Sequence, residues 1–302
     1  MKNAISLKGL TYVVVAFVMF LSSCKDNNSI DFTANDATNI EGESTSDAFI
    51  SDATDVSTDA VNGYSDAQLN GGRTDEASGF GDNDRLKCAT VTVVKSDNST
   101  DGRPAGVITI VFPADGSCKD ARGNVRKGTI TITYAGRKFL PNSTMVTTFT
   151  NYTINGIKIE GTHTITNVSA STADFPKFTV VIAGGKVTFL NGQTITREQT
   201  FTREWQRATN PAQDKWVLLA GSRAAGTTRN GKDYVMEVTK DVVHSRACQI
   251  SNKTFIAVSG EKKFTTENKQ IIVNFGEGTC DNVITVTVNG KSREVTVNGD
   301  GN

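Results

Sequence analysis

From Arg85 onward, apolar and polar residues alternate with a period of two. Thr129-Ile130-Thr131-Ile132-Thr133-Tyr134 and Thr285-Val286-Thr287-Val288 set β-branched apolar side chains on one face and threonine on the other, the pattern of a strand with one buried and one wet face. Runs of the same kind cover Ala89 to Val94, Val107 to Phe112, Met145 to Ile154, Ile157 to Val168, Lys177 to Phe189, Ile195 to Arg207, Lys215 to Ala220, Tyr234 to Val243, Thr254 to Val258, Gln270 to Phe275 and Glu294 to Val297. Asn155-Gly156, Asn191-Gly192, Asn230-Gly231 and Asn289-Gly290 fall between such runs. Asn-Gly there signals a tight hairpin, because both residues tolerate positive φ. No window past the N-terminal leader holds a helical period. Residues 85–302 are therefore predicted to be an all-β domain of antiparallel hairpins, folded as a sandwich or a long meander.

Within this stretch a weak echo occurs. Ile108 to Phe112 leads through a glycine turn to Cys118 and then to the strand of Gly128 to Gly136; Ile271 to Phe275 leads the same way to Cys280 and Val283 to Gly290. Cys88 and Cys248 precede the two units. Four cysteines in a chain that passes an oxidising compartment predict two disulfides, for which three pairings are open. The echo and the similar intervals enclosed favour Cys88 with Cys118 and Cys248 with Cys280, and no Cys-x-x-Cys spacing supports a metal site. One domain is expected, with two packed lobes near 85–192 and 193–302 as the finer alternative, since no linker parts the halves.

The N-terminus has a different pattern. Lys2 and Lys8 precede an apolar run from Leu10 to Leu21, which is shorter than the roughly 20 residues a membrane span requires. Leu21-Ser22-Ser23-Cys24 then closes the run. This segment resembles the lipobox of bacterial lipoproteins, which implies removal of residues 1–23 and attachment of diacylglycerol and palmitate-type chains to Cys24. Several acyl chains hold firmly, at about 0.8 kcal/mol per buried methylene. Lys25-Asp26-Asn27-Asn28 resembles, with one acid missing, the signal of surface-exported lipoproteins in Bacteroidota. The implied partner of Cys24 is membrane lipid, and the implied address is the outer membrane, facing outward.

Charge divides the chain more sharply than its formal net charge of zero suggests. Between Lys25 and Asp84 fourteen acids stand against Lys25 and Arg73, a net charge of −12, whereas residues 85–302 hold 28 bases and 18 acids, a net of +10. An acidic stretch rich in Ser, Thr, Asn, Ala and Gly reads as a disordered, self-repelling tether over 24–84. Its Asp-Ala recurrences lack the glycine-turned frame of a calcium loop. The positive domain can attract an anionic glycan or envelope component, or be balanced by its own tether. Nucleic acid is excluded as a partner by the cell-surface address.

Motifs for chemistry are sparse. His163 and His244 are the two histidines, too few for a histidine metal site, and His163 shares the alternating face of Ile159 and Ile165, as a core residue would. Zinc-protease, serine-elbow and nucleotide-loop patterns are all missing, and no cofactor is implied. Asp97 to Gly102 opens like a calcium loop but reads as a plain turn, because Ile108 stands where the glutamate ligand belongs. Glu160, Glu198, Glu204 and Glu237 are carboxylates that a glycosidase could use only as a pair across a cleft. Trp205 and Trp216 lie on neighbouring strand candidates with Arg203 and Arg207 beside them. Burial in the core is the expected fate of the two tryptophans; exposed, they would stack on sugar rings.

Gly226-Thr227-Thr228-Arg229-Asn230-Gly231 followed by Phe275-Gly276-Glu277-Gly278-Thr279-Cys280-Asp281 resembles a group of flavobacterial-type Bacteroidota surface lipoproteins. That resemblance carries an address and no activity. The expectation is a non-enzymatic, lipid-anchored envelope protein presenting a binding, adhesion or structural module, with a glycan-binding or carbohydrate-active protein as the alternative.

Overall fold

The computed structural model describes residues 46, 49–50, 52–61, 63, 85–120, 123–170, 175–252, 254, 256–266 and 269–296. The leader, Cys24 and most of the acidic segment lie outside the described residues.

The strands are β1 (Thr90–Lys95), β2 (Ala105–Phe112), β3 (Arg126–Ala135), β4 (Thr144–Ile154), β5 (Ile157–Asn167), β6 (Lys177–Thr188), β7 (Thr194–Gln206), β8 (Lys215–Leu218), β9 (Arg223–Thr227), β10 (Asp233–Ser245), β11 (Ser259–Thr266), β12 (Lys269–Glu277), β13 (Val283–Val288) and β14 (Lys291–Thr296). They form one antiparallel sheet in chain order, with β8 and β9 sharing the lane between β7 and β10. Of the two expected architectures, the all-β chain takes the long meander. The sheet runs unbroken through the suggested lobe boundary near residue 192, where the β6–β7 hairpin turns.

Two of the Asn-Gly turns are built as their residues suggest: Asn155 and Gly156 have φ of 52° and 81°, and Asn289 and Gly290 have 50° and 78°. Both central residues sit in the left-handed region that matches strand twist. Thr254 to Val258, expected as a strand, is instead an irregular connection in which Thr254, Ala257 and Val258 are buried. The strand begins one residue later, at Ser259. Its sequence, SGEKKFTT, buries Phe264 alone and so shows little alternation.

A correction concerns the acidic segment. Its described residues between 46 and 63 are helical, forming α1, so a disordered tether over all of 24–84 is not what the chain builds. Ile50, Ala53, Val56, Ala60 and Val61 make a buried stripe at helical spacing. Ion pairs fasten the acidic face. Both carboxylate oxygens of Asp52 accept from Arg126 Nη2 at 2.9 and 2.8 Å, and Arg85 bridges Asp52 and Asp59. Arg126, 1% exposed, also donates to Asp120 at 2.6 Å. A second helix, α2 (Arg246–Asn252), links β10 to β11.

The turns β2–β3, β4–β5, β6–β7, β9–β10 and β13–β14 share one end of the sheet, called the hairpin end here. The turns β1–β2, β3–β4, β5–β6 and β7–β8 share the other, called the open end. α1 runs from the first to the second: Ile50 packs with Val187, Phe189 and Ile195, while Thr58 and Val61 face Gly136, Lys138 and Asn167. A helix roughly 10 Å wide that meets strands from β3 to β7, at about 4.8 Å spacing, requires the sheet to curl around it. Ile108, Ile110, Ile130, Ile132, Tyr134 and Tyr152 fill the inner face beside α1. A second cluster around Phe201, Met236, Val238, Val242 and Ile271 carries the core through β6 to β13.

The disulfides are Cys88–Cys118 and Cys248–Cys280, the favoured pairing. Each ties the chain before a hairpin to the turn after it, which is the physical content of the echo between the two units.

Candidate binding site at the open end

The inner-face register brings the two tryptophans together. Trp205 on β7 lies directly across from Trp216 on β8, which lies across from His244 on β10. The indoles stack with centroids 5.2 Å apart and planes 15° from parallel. Phe139, in the β3–β4 turn, packs on Trp205 at 5.3 Å, and Phe178 of β6 lies 6.4 Å from Trp216. Core burial, the expected fate, is not what these rings adopt. Trp205 is half-buried and Trp216 is 37% exposed, because both stand in the last inward-facing row before the strands end.

Lys138 completes the cluster. Its Nζ lies 5.6, 5.8 and 5.7 Å from the ring centroids of Phe139, Phe178 and Trp216. Its backbone carbonyl accepts from Ser143 Oγ and Asn167 Nδ2, both at 3.0 Å, which fixes the turn that presents it. Burial among the rings holds the ammonium below the ordinary lysine range, against the pull of Asp55 and Asp59 on α1. Asp55 stands on the exposed side of α1, where desolvation by the protein around it raises its carboxyl above the usual range although Arg85 and Arg203 oppose the shift. A cavity of about 30 Å³, room for a water or two, opens beside Lys138 between Thr58, Val61, Met145 and Phe178.

The remaining polar groups position the rings. Trp205 Nε1 donates to Asp214 Oδ2 at 3.1 Å, and the buried Asp214 accepts from the Ala208 amide through its other oxygen. This fixes one indole and the β7–β8 turn together. Arg207 sits 5.6 Å over the Trp205 ring, exposed. Arg203, two residues upstream on the same face, is half-buried across from Phe178 and Leu218 and directs its charge toward Asp55. All four candidates, Trp205, Trp216, Arg203 and Arg207, thus border one site. Lys138, Phe139, Phe178 and Asp214 join them from distant turns and strands, and no local pattern marks them.

The strand carboxylates face the other way. Glu160 pairs with Lys158, Glu204 with Lys177 and Glu237 with Lys263, while Glu198 accepts from the Gly184 amide. Their inner-face neighbours, Met236 and Trp205 among them, point into the curl, so the acids line the outer surface. They do not meet across a cleft. His163 is buried on the inner face of β5, far along the strand from the aromatic row, and the Asp97–Gly102 segment is the β1–β2 turn, closed by backbone bonds between Thr100 and Arg103.

Comparison of the chain with family models, with curated proteins and with solved structures finds no match.

Proposed function

We propose that the protein is a lipid-anchored module of the bacterial outer membrane, displayed on the cell surface, which binds an anionic glycan at its open end and performs no catalysis. The observation that carries the reading is the stacked Trp205–Trp216 pair, with Trp216 exposed at the edge of the curl and Lys138 and Arg207 beside it. An indole face offers the apolar C–H face of a sugar ring a flat partner. Cations around it suit a carboxylate or sulfate on the same sugar. Because Asp214 and the fixed β3–β4 turn hold the rings in place, little ordering is required on binding. The lipobox at Cys24 supports the address. The outward carboxylates argue for binding over hydrolysis, which requires a facing pair.

The test is a titration of the purified protein against acidic and neutral polysaccharides at low and high salt, followed by tryptophan fluorescence. Binding to an acidic glycan is expected, weakened by salt and lowered roughly tenfold by Trp216→Ala. Absence of binding, or binding that Trp216→Ala leaves intact, would overturn the reading in favour of a purely structural module.

A further inference from the structure

The end of the molecule opposite the aromatic row has its own character. Leu190, in the β6–β7 turn, is 77% exposed and lies against the neighbouring β4–β5 turn at Gly156. Beside it, Arg229 of the β9–β10 turn stacks 3.5 Å over Phe189. Lys186, Lys232 and Lys119 are exposed at this same end. Asp115 and Asp233 are exposed acids at this end, and Glu160, across from Lys186, is taken up by Lys158. Here too the chain that leads back to Cys24 joins the folded body, since the N-terminal half of α1 packs against Val187, Phe189 and Ile195.

From these juxtapositions we propose that the hairpin end is a membrane-facing surface that rests on anionic phospholipid headgroups. The inference depends on the anchored reading of Cys24. An exposed leucine on a turn can enter the boundary between headgroups and acyl chains, while flanking lysines pair with lipid phosphates. An acyl chain on Cys24 would be joined to the body through the start of α1, at this end, which would raise the local concentration of these turns at the bilayer. The aromatic row, at the far end of every strand, then points away from the lipid. The anchor and the charged turns act as two signals, a combination that holds more firmly than one.

The experiment uses the mature chain from residue 24 with Cys24→Ser, which is unacylated, and vesicles of phosphatidylcholine with or without phosphatidylglycerol. Co-sedimentation with the anionic vesicles at low salt, and release at high salt, are expected. Lys186→Gln and Lys232→Gln should each weaken binding about fivefold, the factor that ~1 kcal/mol per surface cation implies. Leu190→Ser should weaken it further, Trp216→Ala should leave it unchanged, and unaltered thermal melts establish that each variant is folded. Equal binding to neutral and anionic vesicles, or indifference to the Leu190, Lys186 and Lys232 substitutions, would overturn the proposal. Acylation of the wild-type chain is read separately from the mass of its N-terminal peptide. A missing lipid there would remove the anchor while the vesicle result stands by itself.

Discussion

His163 stands across from Thr147 on β4 and Ile182 on β6, 1% exposed and edge-on to Phe149 at 4.8 Å. Neither ring nitrogen has a hydrogen-bond partner among the described residues. Burial, aided by the nearby Arg197 guanidinium, pulls its pKa down to about 4. The unfolded chain, with a histidine near 6.5, therefore binds more protons than the folded one as pH falls. Stability contributed by the neutral ring is complete above pH 6.5 and is lost on descending toward pH 4. The loss is roughly 3 kcal/mol from this group alone. Urea denaturation at pH 7 and pH 4.5 should show the fall in the wild type, and His163→Leu should flatten it; a variant with an unchanged acid limb would show that other groups are responsible. The alternation of Ile159, His163 and Ile165 was enough to place this ring inward. It could not reveal the missing partners, because Thr147 and Arg197 reach the neighbourhood from other strands.

At the scale of elements, α1 is where local pattern and tertiary context meet. Ala53, Val56 and Ala60 are fully buried against the sheet, and their small size lets the helix axis lie close to the inner face. Arg126 pairs with Asp52 on one side and Asp120 on the other, so removing Arg126 takes its counter-charge from the buried Asp120 carboxylate. Hydrogen bonds from Arg126 and Asn124 hold the Asp120 carboxyl below its usual range although burial pushes it up. Val56→Asp should cost about 3–5 kcal/mol by burying an unpaired charge. Hydrogen exchange should then show α1 amides opening before those of β3 and β4; simultaneous loss of protection would mean that the helix is integral to sheet folding. The stripe of Phe49, Ile50, Ala53, Val56, Ala60 and Val61 was present in the sequence, yet it is short, interrupted by acids, and outweighed by low-complexity composition. Its helical period becomes decisive only when a curved apolar face is there to receive it.

Across the whole molecule, the division between an acidic N-terminal segment and a positive domain is partly resolved within the fold. Asp52 and Asp59 meet Arg85 and Arg126, so part of the domain's excess charge is balanced by α1. The two disulfides close separations of 30 and 32 residues that do not overlap. Loop-closure entropy assigns each about 3–4 kcal/mol. Losses from Cys88→Ser with Cys118→Ser and from Cys248→Ser with Cys280→Ser should therefore add when all four are combined, as measured by chemical denaturation. A combined loss well below the sum would indicate that the β1–β3 and β11–β13 units are coupled through the sheet.

The sequence by itself determined the all-β class, most of the strands and the charge division, and favoured the cysteine pairing that forms, because alternation, Asn-Gly turns and spacing are local properties that each residue carries wherever it is placed. The tertiary structure alone decided that the strands form one curled meander, that an acidic segment supplies the helix inside it, and that Trp205 and Trp216 stand at the edge. Those outcomes depend on strand register and sheet curvature, which set whether an inward-facing side chain near a strand end is covered by the next layer or left in contact with solvent.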